Sequence, residues 1–461
     1  GPRTFDELSG EVVQNTTFIL KNTSNIGKGI YYRLVDGKDS SSKEKMFLLD
    51  EGRFEQISQS NFDRIPESPI SFWASDKIYK SYKNKLLKNG YHLKAGLQTG
   101  NNDLFLRFFW EISSLSEKYM PYDKGGPKKK WYGNNFYLIN WGNEGEELQS
   151  TNKAVFRNKS FYFNEGISYS LTSSTNICAR HRPHGFIFDN QGSSLFEINK
   201  TYESTFALAL LNSKVTNYYI QFLNPTMVTQ VGDLSRIPLI YKNIGISVYV
   251  KENTSISQLD WDSRETSWDF SQDEIIRQEK KTISEAYQSY QQYWTEQFTQ
   301  LHTNEVELNR IFIDIYGLQD ELTPEVKLKD ITILQEELDY NVLGELTEME
   351  QLPDPSQLPI KADEVMKQFV SYAIGCIMGR YKLDQPGLHI AHLNPTDEEL
   401  LPYNYRDKKF IIDDDAIVPL MGTSCGFADN ALQRVKSLIR QVWGFETEIE
   451  NINFLEESLG K

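Results

Sequence analysis

Three short blocks decide how the rest of this chain is read: Ala95-Gly96-Leu97-Gln98-Thr99-Gly100-Asn101-Asn102-Asp103, Lys124-Gly125-Gly126-Pro127-Lys128-Lys129-Lys130-Trp131-Tyr132-Gly133-Asn134, and Gly185-Phe186-Ile187-Phe188-Asp189-Asn190-Gln191-Gly192-Ser193-Ser194. The third has a sequel, from Leu211-Asn212-Ser213-Lys214 through Leu223-Asn224-Pro225-Thr226 to Gln230-Val231-Gly232-Asp233. Each block is a polar loop punctuated by glycine and set between apolar, aromatic runs. Glycine lets a backbone come close to a ligand, and loops on a rigid scaffold carry function. These loops offer amides, hydroxyls and cations, the groups that bind phosphates and base edges. From about 91 to 245 such loops alternate with strand-like runs, so the expectation is a β-rich unit with helices that contacts nucleic acid.

The charge supports that expectation only through its distribution. The net charge is −15, which at face value argues against a polyanionic partner. Yet Lys77, Lys80, Lys83, Lys85, Lys88 and Lys94 crowd one stretch, followed by Lys128 to Lys130, Lys153, Arg157, Lys159, Arg180 and Arg182. The acids gather at 321–350, 397–399 and 413–415. A bipolar chain of this kind binds a polyanion on one side and stays soluble through the other. A run of about 18 apolar residues is absent, which argues against a membrane-spanning helix. Three scattered cysteines, Cys178, Cys376 and Cys425, form neither a disulfide framework nor a CxxC metal site. They read as buried thiols of a cytoplasmic protein.

Along the chain, 10–21 reads as two short strands about Gln14-Asn15, and 30–35 as a third. Phe72-Trp73-Ala74 opens a Lys-rich helix over about 75–88, closed at Asn89-Gly90. Residues 136–141 and 168–172 read as strands, and 205–222 as one helix stopped at Asn224-Pro225. Ser271-Gln272-Asp273-Glu274 has a capping-box pattern, and apolar residues from Ile276 to Ile315 then keep helical spacing as far as Gly317. Unbroken, that helix would be roughly 65 Å long at about 1.5 Å per residue, unless it bends near 302–304. Residues 322–360 read as an acidic, Pro-containing connector, and 362–381 and 430–443 as helices. The last apolar stretch, 454–459, looks like a helix cut short, so both ends suggest a fragment of a longer protein.

A search for catalysis finds little. The six histidines form no HExxH or HxE…CxxC set. His181 with His184 and His389 with His392 lack a third ligand at a telling spacing. Glu325-Val326-Lys327 after Asp320 has the form of a metal-dependent nuclease core, with spacing too tight for two strands. Asp413-Asp414-Asp415 reads as a solvated turn. The expected site is therefore a binding surface without metal or catalytic residue. Lys128, Lys129, Lys130, Arg157, Arg180 and Arg182 are its candidate phosphate or base contacts, with Trp131 and Tyr132 as stacking rings. Thr99, Asn101, Asn102, Ser193, Ser194 and Gln230 are its candidate readers.

These residues also carry a resemblance. The stretch 96–102, Pro121-Tyr122-Asp123-Lys124-Gly125-Gly126 with Lys130-Trp131-Tyr132-Gly133-Asn134, 185–194, and 211–214 to Gly232-Asp233 together resemble the target-recognition half of PglX-type DNA adenine methyltransferases. Those are the modification enzymes of bacteriophage-exclusion (BREX) systems and are similar to type IIG restriction-modification enzymes. Glu307-Leu308-Asn309-Arg310, 316–322, and Tyr372 to Tyr381 resemble the C-terminal part of the same family, and 5–13 its last methyltransferase strands. The resemblance implies an S-adenosylmethionine-dependent transfer to the N6 of an adenine flipped from a duplex. The cofactor loop and an Asn-Pro-Pro-Tyr run are absent from this sequence, so the chain is expected to choose the site, hold no cofactor and be inactive alone.

The resulting expectation is a mixed α/β chain in four parts: 1–70 the end of the methyltransferase domain and a connector, 71–245 a β-rich target-recognition domain, 246–320 a helical spacer, and 321–461 a mostly helical C-terminal domain. The expected partners are double-stranded DNA, other BREX subunits and acidic phage-made DNA mimics, with no membrane. Two rival readings are an acidic protein-interaction scaffold over 320–461 and a nuclease using Glu325 and Lys327. The specificity part of a type IIG restriction enzyme is a variant of the main reading.

Overall fold

The computed structural model describes residues 15–22, 28–112, 118–171, 176–224, 226, 228–348, 358–421 and 429–460. The architecture is mixed α/β, with several small sheets set against many helices. Two four-stranded sheets form the centre of the first half. One runs in the order Ile187–Phe188, Tyr119–Asp123, Tyr137–Asn140, Leu106–Phe108. The other runs Tyr91–Lys94, Ser194–Glu197, Gly166–Tyr169, Ala179–Arg182, all antiparallel. Side chains alternate across a strand. Tyr91, Ile167, Tyr169, Ala179 and Leu195 therefore face one way, into the main core shared with the helices. Ser168, Arg180, Arg182, Ser194 and Phe196 face the other, toward the first sheet, where Leu97, Tyr122, Ile139, Ile187 and Phe188 build a smaller core.

Helices Ser204–Asn212 and Lys214–Leu223 cover the outer face of the second sheet. The expected single helix breaks at Ser213, whose backbone is extended (ψ 158°). Asn212 is diverted to the sheet, donating to and accepting from the backbone of Ala179 at 3.0 and 2.8 Å. The Lys-rich helix is also shorter than expected. It spans Asp76–Ser81, after which Lys85–Leu86 pairs with Pro238–Leu239. Residues 15–22 carry no regular structure, and the rest of the expected strand pair lies outside the described residues, as do Thr172, Pro225 and Cys425.

The long helix is a single unbroken element, Ile283–Tyr316, about 51 Å at ~1.5 Å per residue. It starts later than the sequence suggested. Asp273 caps only the short turn Glu274–Arg277, and the Thr282 hydroxyl caps the long helix by accepting from Glu285 N at 3.1 Å. Gly317 in the left-handed region (φ 67°) ends it. Its apolar stripe, including Tyr290, Trp294, Phe298, Leu301 and Phe312, belongs to the main core along its whole length. It thereby joins the sheets to a last lobe, in which helices Ala362–Ile377, Ala431–Trp443 and Glu448–Ser458 pack with two small hairpins.

Candidate nucleic-acid interface

The Lys128–Lys130 run points inward. Lys128 meets Asp330 at 2.6 Å, Lys129 meets Asp260 at 3.0 Å, and Lys130 meets Glu305 of the long helix at 2.5 Å. Lys129 and Lys130 are buried, as are their carboxylate partners. The Trp131 indole donates to the other Glu305 oxygen at 2.8 Å, and Lys130 N donates to the Thr332 hydroxyl at 3.0 Å. Trp131 sits in the left-handed region (φ 68°), an uncommon place for a bulky residue. Two backbone bonds hold it there, Trp131 N to Ala179 O and His181 N to Trp131 O, at 2.9 and 2.8 Å. Tyr132 is buried as well. The run therefore fastens the glycine loops to the long helix, to Asp260 and to residues 328–337, and these cations and rings are taken up by the protein.

Arg180 and Arg182 are likewise interior, each 1% exposed, on the face between the two sheets. Asp123 lies between them, 3.8 Å from Arg180 and 3.9 Å from Arg182. Arg182 donates to the Ser194 hydroxyl at 2.5 Å, and its guanidinium lies 4.8 Å from the Phe188 ring. Arg180 donates to the Ser168 and Ser170 hydroxyls. Ser193 and Ser194 are fully buried. Burial pulls the Arg182 guanidinium down to about 10 in spite of Asp123, and lowers that of Arg180. Both remain cations at neutral pH, so this cluster holds one positive charge in excess behind the loops. The period-two spacing of Arg180 and Arg182 beside Ala179 was the available signal that both arginines share one strand face.

The glycine blocks come together at the edge of these sheets. A cleft of about 330 Å³ is lined by Gln98, Thr99, Gly100, Asn101, Asn102, Lys124, Lys153, Asp189, Asn190 and Gln191. The glycines serve loop-on-loop contact. A Cβ on Gly96 would overlap the Phe188 carbonyl, and one on Gly192 would lie 2.7 Å from Asp123 O. Asp189 anchors the cleft from below. Buried, it accepts from the Tyr122 hydroxyl at 2.5 Å, from Lys124 Nζ at 2.7 Å and from Gln191 N at 2.6 Å. Thr99 is buried and donates to Asn102 at 2.6 Å, and Asn101 caps the helix Asn102–Phe105. Asn101 and Asn102 are exposed on the rim, and so is Lys153, which is in no ion pair among the described residues.

Of the expected site residues, the cleft gathers Thr99, Asn101 and Asn102. Arg157 stands beside it, partly exposed, donating to Gln98 at 3.1 Å. Gln230 is exposed but caps a separate short helix, Val231–Ser235. Gln98, Lys124, Lys153, Asp189, Asn190 and Gln191 were not singled out by sequence. All but Lys153 lie inside the three glycine blocks, which was the signal for them.

Glu325 and Lys327 lie exposed in irregular chain. Among the described residues, the only cluster of three or more His, Cys, Asp or Glu side chains close enough to share a cation is Asp413, Asp414 and Asp415. Among the described residues, the only parallel pairing between strands is two residues long, Ile187 and Phe188 on Tyr122 and Asp123. No described helix is long and apolar enough to cross a membrane.

No family model matches the chain. Over 497 aligned residues it is 35% identical to the adenine-specific methyltransferase PglX of Lacticaseibacillus casei (strain Zhang), a match covering 100% of this chain and 39% of the relative. Over 470 aligned residues it is 36% identical to the adenine-specific methyltransferase BrxX of Escherichia coli O9:H4 (strain HS), covering 100% of this chain and 38% of the relative. The chain thus spans less than two-fifths of the length of these relatives. Over its whole length the chain matches the C-terminal part of these adenine-specific methyltransferases, PglX and BrxX.

Proposed function

We propose that this chain recognises a short sequence in duplex DNA on behalf of a longer adenine-specific methyltransferase of a BREX phage-defence system. The observation that carries the reading is the convergence of the glycine blocks on one amide- and cation-lined cleft at the rim of a rigid two-sheet unit. Amides and cations at a fixed rim are the chemistry of base edges and phosphates. The buried excess charge of Arg180, Arg182 and Asp123 adds a positive field behind that rim. In the longer protein, S-adenosylmethionine would supply the methyl group for N6 of a flipped adenine. This chain's part is to hold the duplex in register.

Fluorescence anisotropy with labelled duplexes across a salt series tests this. Binding should weaken steeply with salt, and Lys153→Ala should lower the slope by about 0.9 if it removes one phosphate contact. Lys130→Met should leave the slope unchanged in folded protein. No duplex binding at low salt, either by this chain or by the longer methyltransferase, would overturn the reading. Acidic DNA mimics made by phage should compete for the same rim, and competition unaffected by Lys153→Glu would place them elsewhere.

A second reading rests on the last lobe. Leu393 and Leu420 are each 90% exposed, and Leu401, Ile411 and Ile417 are exposed nearby in sequence. Exposed apolar residues grouped in this way suit contact with other subunits of the same defence system. Polar replacement of Leu393 and Leu420 should abolish co-purification with such a subunit, and unchanged assembly would end this second reading.

A further inference from the structure

Donors dominate one side of the cleft, because three of its five side-chain amides and its one carboxylate turn their oxygens onto the protein. Gln98 Oε1 accepts from Arg157 at 3.1 Å, Asn101 Oδ1 from Leu104 N at 3.2 Å, and Asn102 Oδ1 from the Thr99 hydroxyl at 2.6 Å. Both oxygens of Asp189 are occupied from within, by Tyr122 and Lys124 on one and by Gln191 N on the other. What faces outward from these side chains is amide NH₂ and ammonium. Lys124 is the most constrained of the donors. Its side chain is 24% exposed, and Asp189 takes one of its three N–H groups at 2.7 Å. Two N–H groups remain for a partner in the cleft, and the ion pair fixes where they point.

In the major groove only guanine offers two adjacent acceptors, O6 and N7, with no donor of its own. Adenine and cytosine each bring an amino group, which would face another donor unpaired, and thymine brings a methyl beside O4. We propose that this cleft reads one guanine of the recognised site, with Lys124 bonding O6 and N7 as the specificity-determining contact. The proposal rests on the DNA-recognition reading above and gives it a base and a residue.

The test selects duplexes from a randomised pool with this chain and with its Lys124→Ala variant, then scans the selected duplex with 7-deazaguanine, which lacks the N7 acceptor. The wild-type pool should contain a guanine position whose preference collapses in Lys124→Ala, while the other positions persist. Placing 7-deazaguanine there should weaken wild-type binding about tenfold, within the range expected of a base-specific bond, and leave the variant unaffected. The deaza scan uses unaltered protein, so it decides the matter even if removing Lys124 from the buried Asp189 unfolds the chain. A selected site at which no guanine responds to the deaza scan, or an unchanged profile in folded Lys124→Ala, overturns the guanine proposal alone. Failure of both the wild-type chain and the longer methyltransferase to select any sequence overturns the recognition reading together with it.

Discussion

Lys130 sits inside the protein because Glu305 meets it there. Burial by itself would lower its pKa, but the carboxylate at 2.5 Å more than compensates and leaves it raised. Breaking one side of such a pair leaves a bare charge in the interior, which costs about 3–5 kcal/mol. Lys130→Met should therefore lower stability by that order in urea unfolding, and Lys130→Met with Glu305→Leu should recover much of it. A double variant no better than the single one would show that the pair is not coupled in this way. Nothing in Lys128-Lys129-Lys130-Trp131-Tyr132 distinguishes cations that meet phosphate from cations that meet carboxylates. The partners Asp260, Glu305 and Asp330 lie more than a hundred residues away, and pairing at that separation leaves no local pattern. Asp273 makes a second residue-scale prediction. Burial, with Glu274 beside it, pushes its carboxyl up to about 7, above its unfolded value of 3.8. The folded state then holds a proton that the unfolded state has lost, so stability should fall as pH rises between these values. The slope from this group is about 1.4 kcal/mol per pH unit. Asp273→Asn keeps a capping oxygen and should flatten that part of the stability profile, and an unaltered slope would contradict it.

At the scale of elements, the loops hold each other. Gly96 touches the Phe188 carbonyl, Gly100 the backbone of Lys153, and Gly125 that of Gln191. Gly96→Ala should cost about 3 kcal/mol, the upper part of the usual overpacking range, and should weaken duplex binding in whatever fraction stays folded. Measured stability within about 0.5 kcal/mol of wild type would mean that the loops are not packed as described. The glycine pattern was legible in sequence, and so were the strand at 137–140 and the helices at 362–377 and 431–443, while the strand expected at 168–172 lies at 166–169. Periodicity shows that an element exists and which residues share its face. It does not show what the face meets. That is why the break at Ser213 was missed: it depends on Asn212 bonding a strand 33 residues earlier. The long helix was legible in type, but its start moved from Ser271 to Thr282, since two capping signals compete and tertiary packing chooses between them.

For the whole molecule, a chain of net charge −15 must confine its attraction for a polyanion to a small region. Much of the basic third that the sequence shows is spent internally, on Asp123, Asp189, Asp260, Glu305 and Asp330. The resemblance was legible in the loop blocks, and the match of this whole chain to part of PglX and of BrxX agrees with that reading. The helix Ile283–Tyr316 then makes the two-sheet unit and the last lobe one packed body. Ligand contact at the cleft should therefore register there, with little local opening elsewhere. Hydrogen–deuterium exchange of the chain with and without its selected duplex measures this most directly. Exchange should slow at 97–103, 124–126, 152–154 and 189–192, with the buried residues 128–131 unchanged. Protection centred on 388–421, or none at the cleft while the duplex is bound, would contradict it.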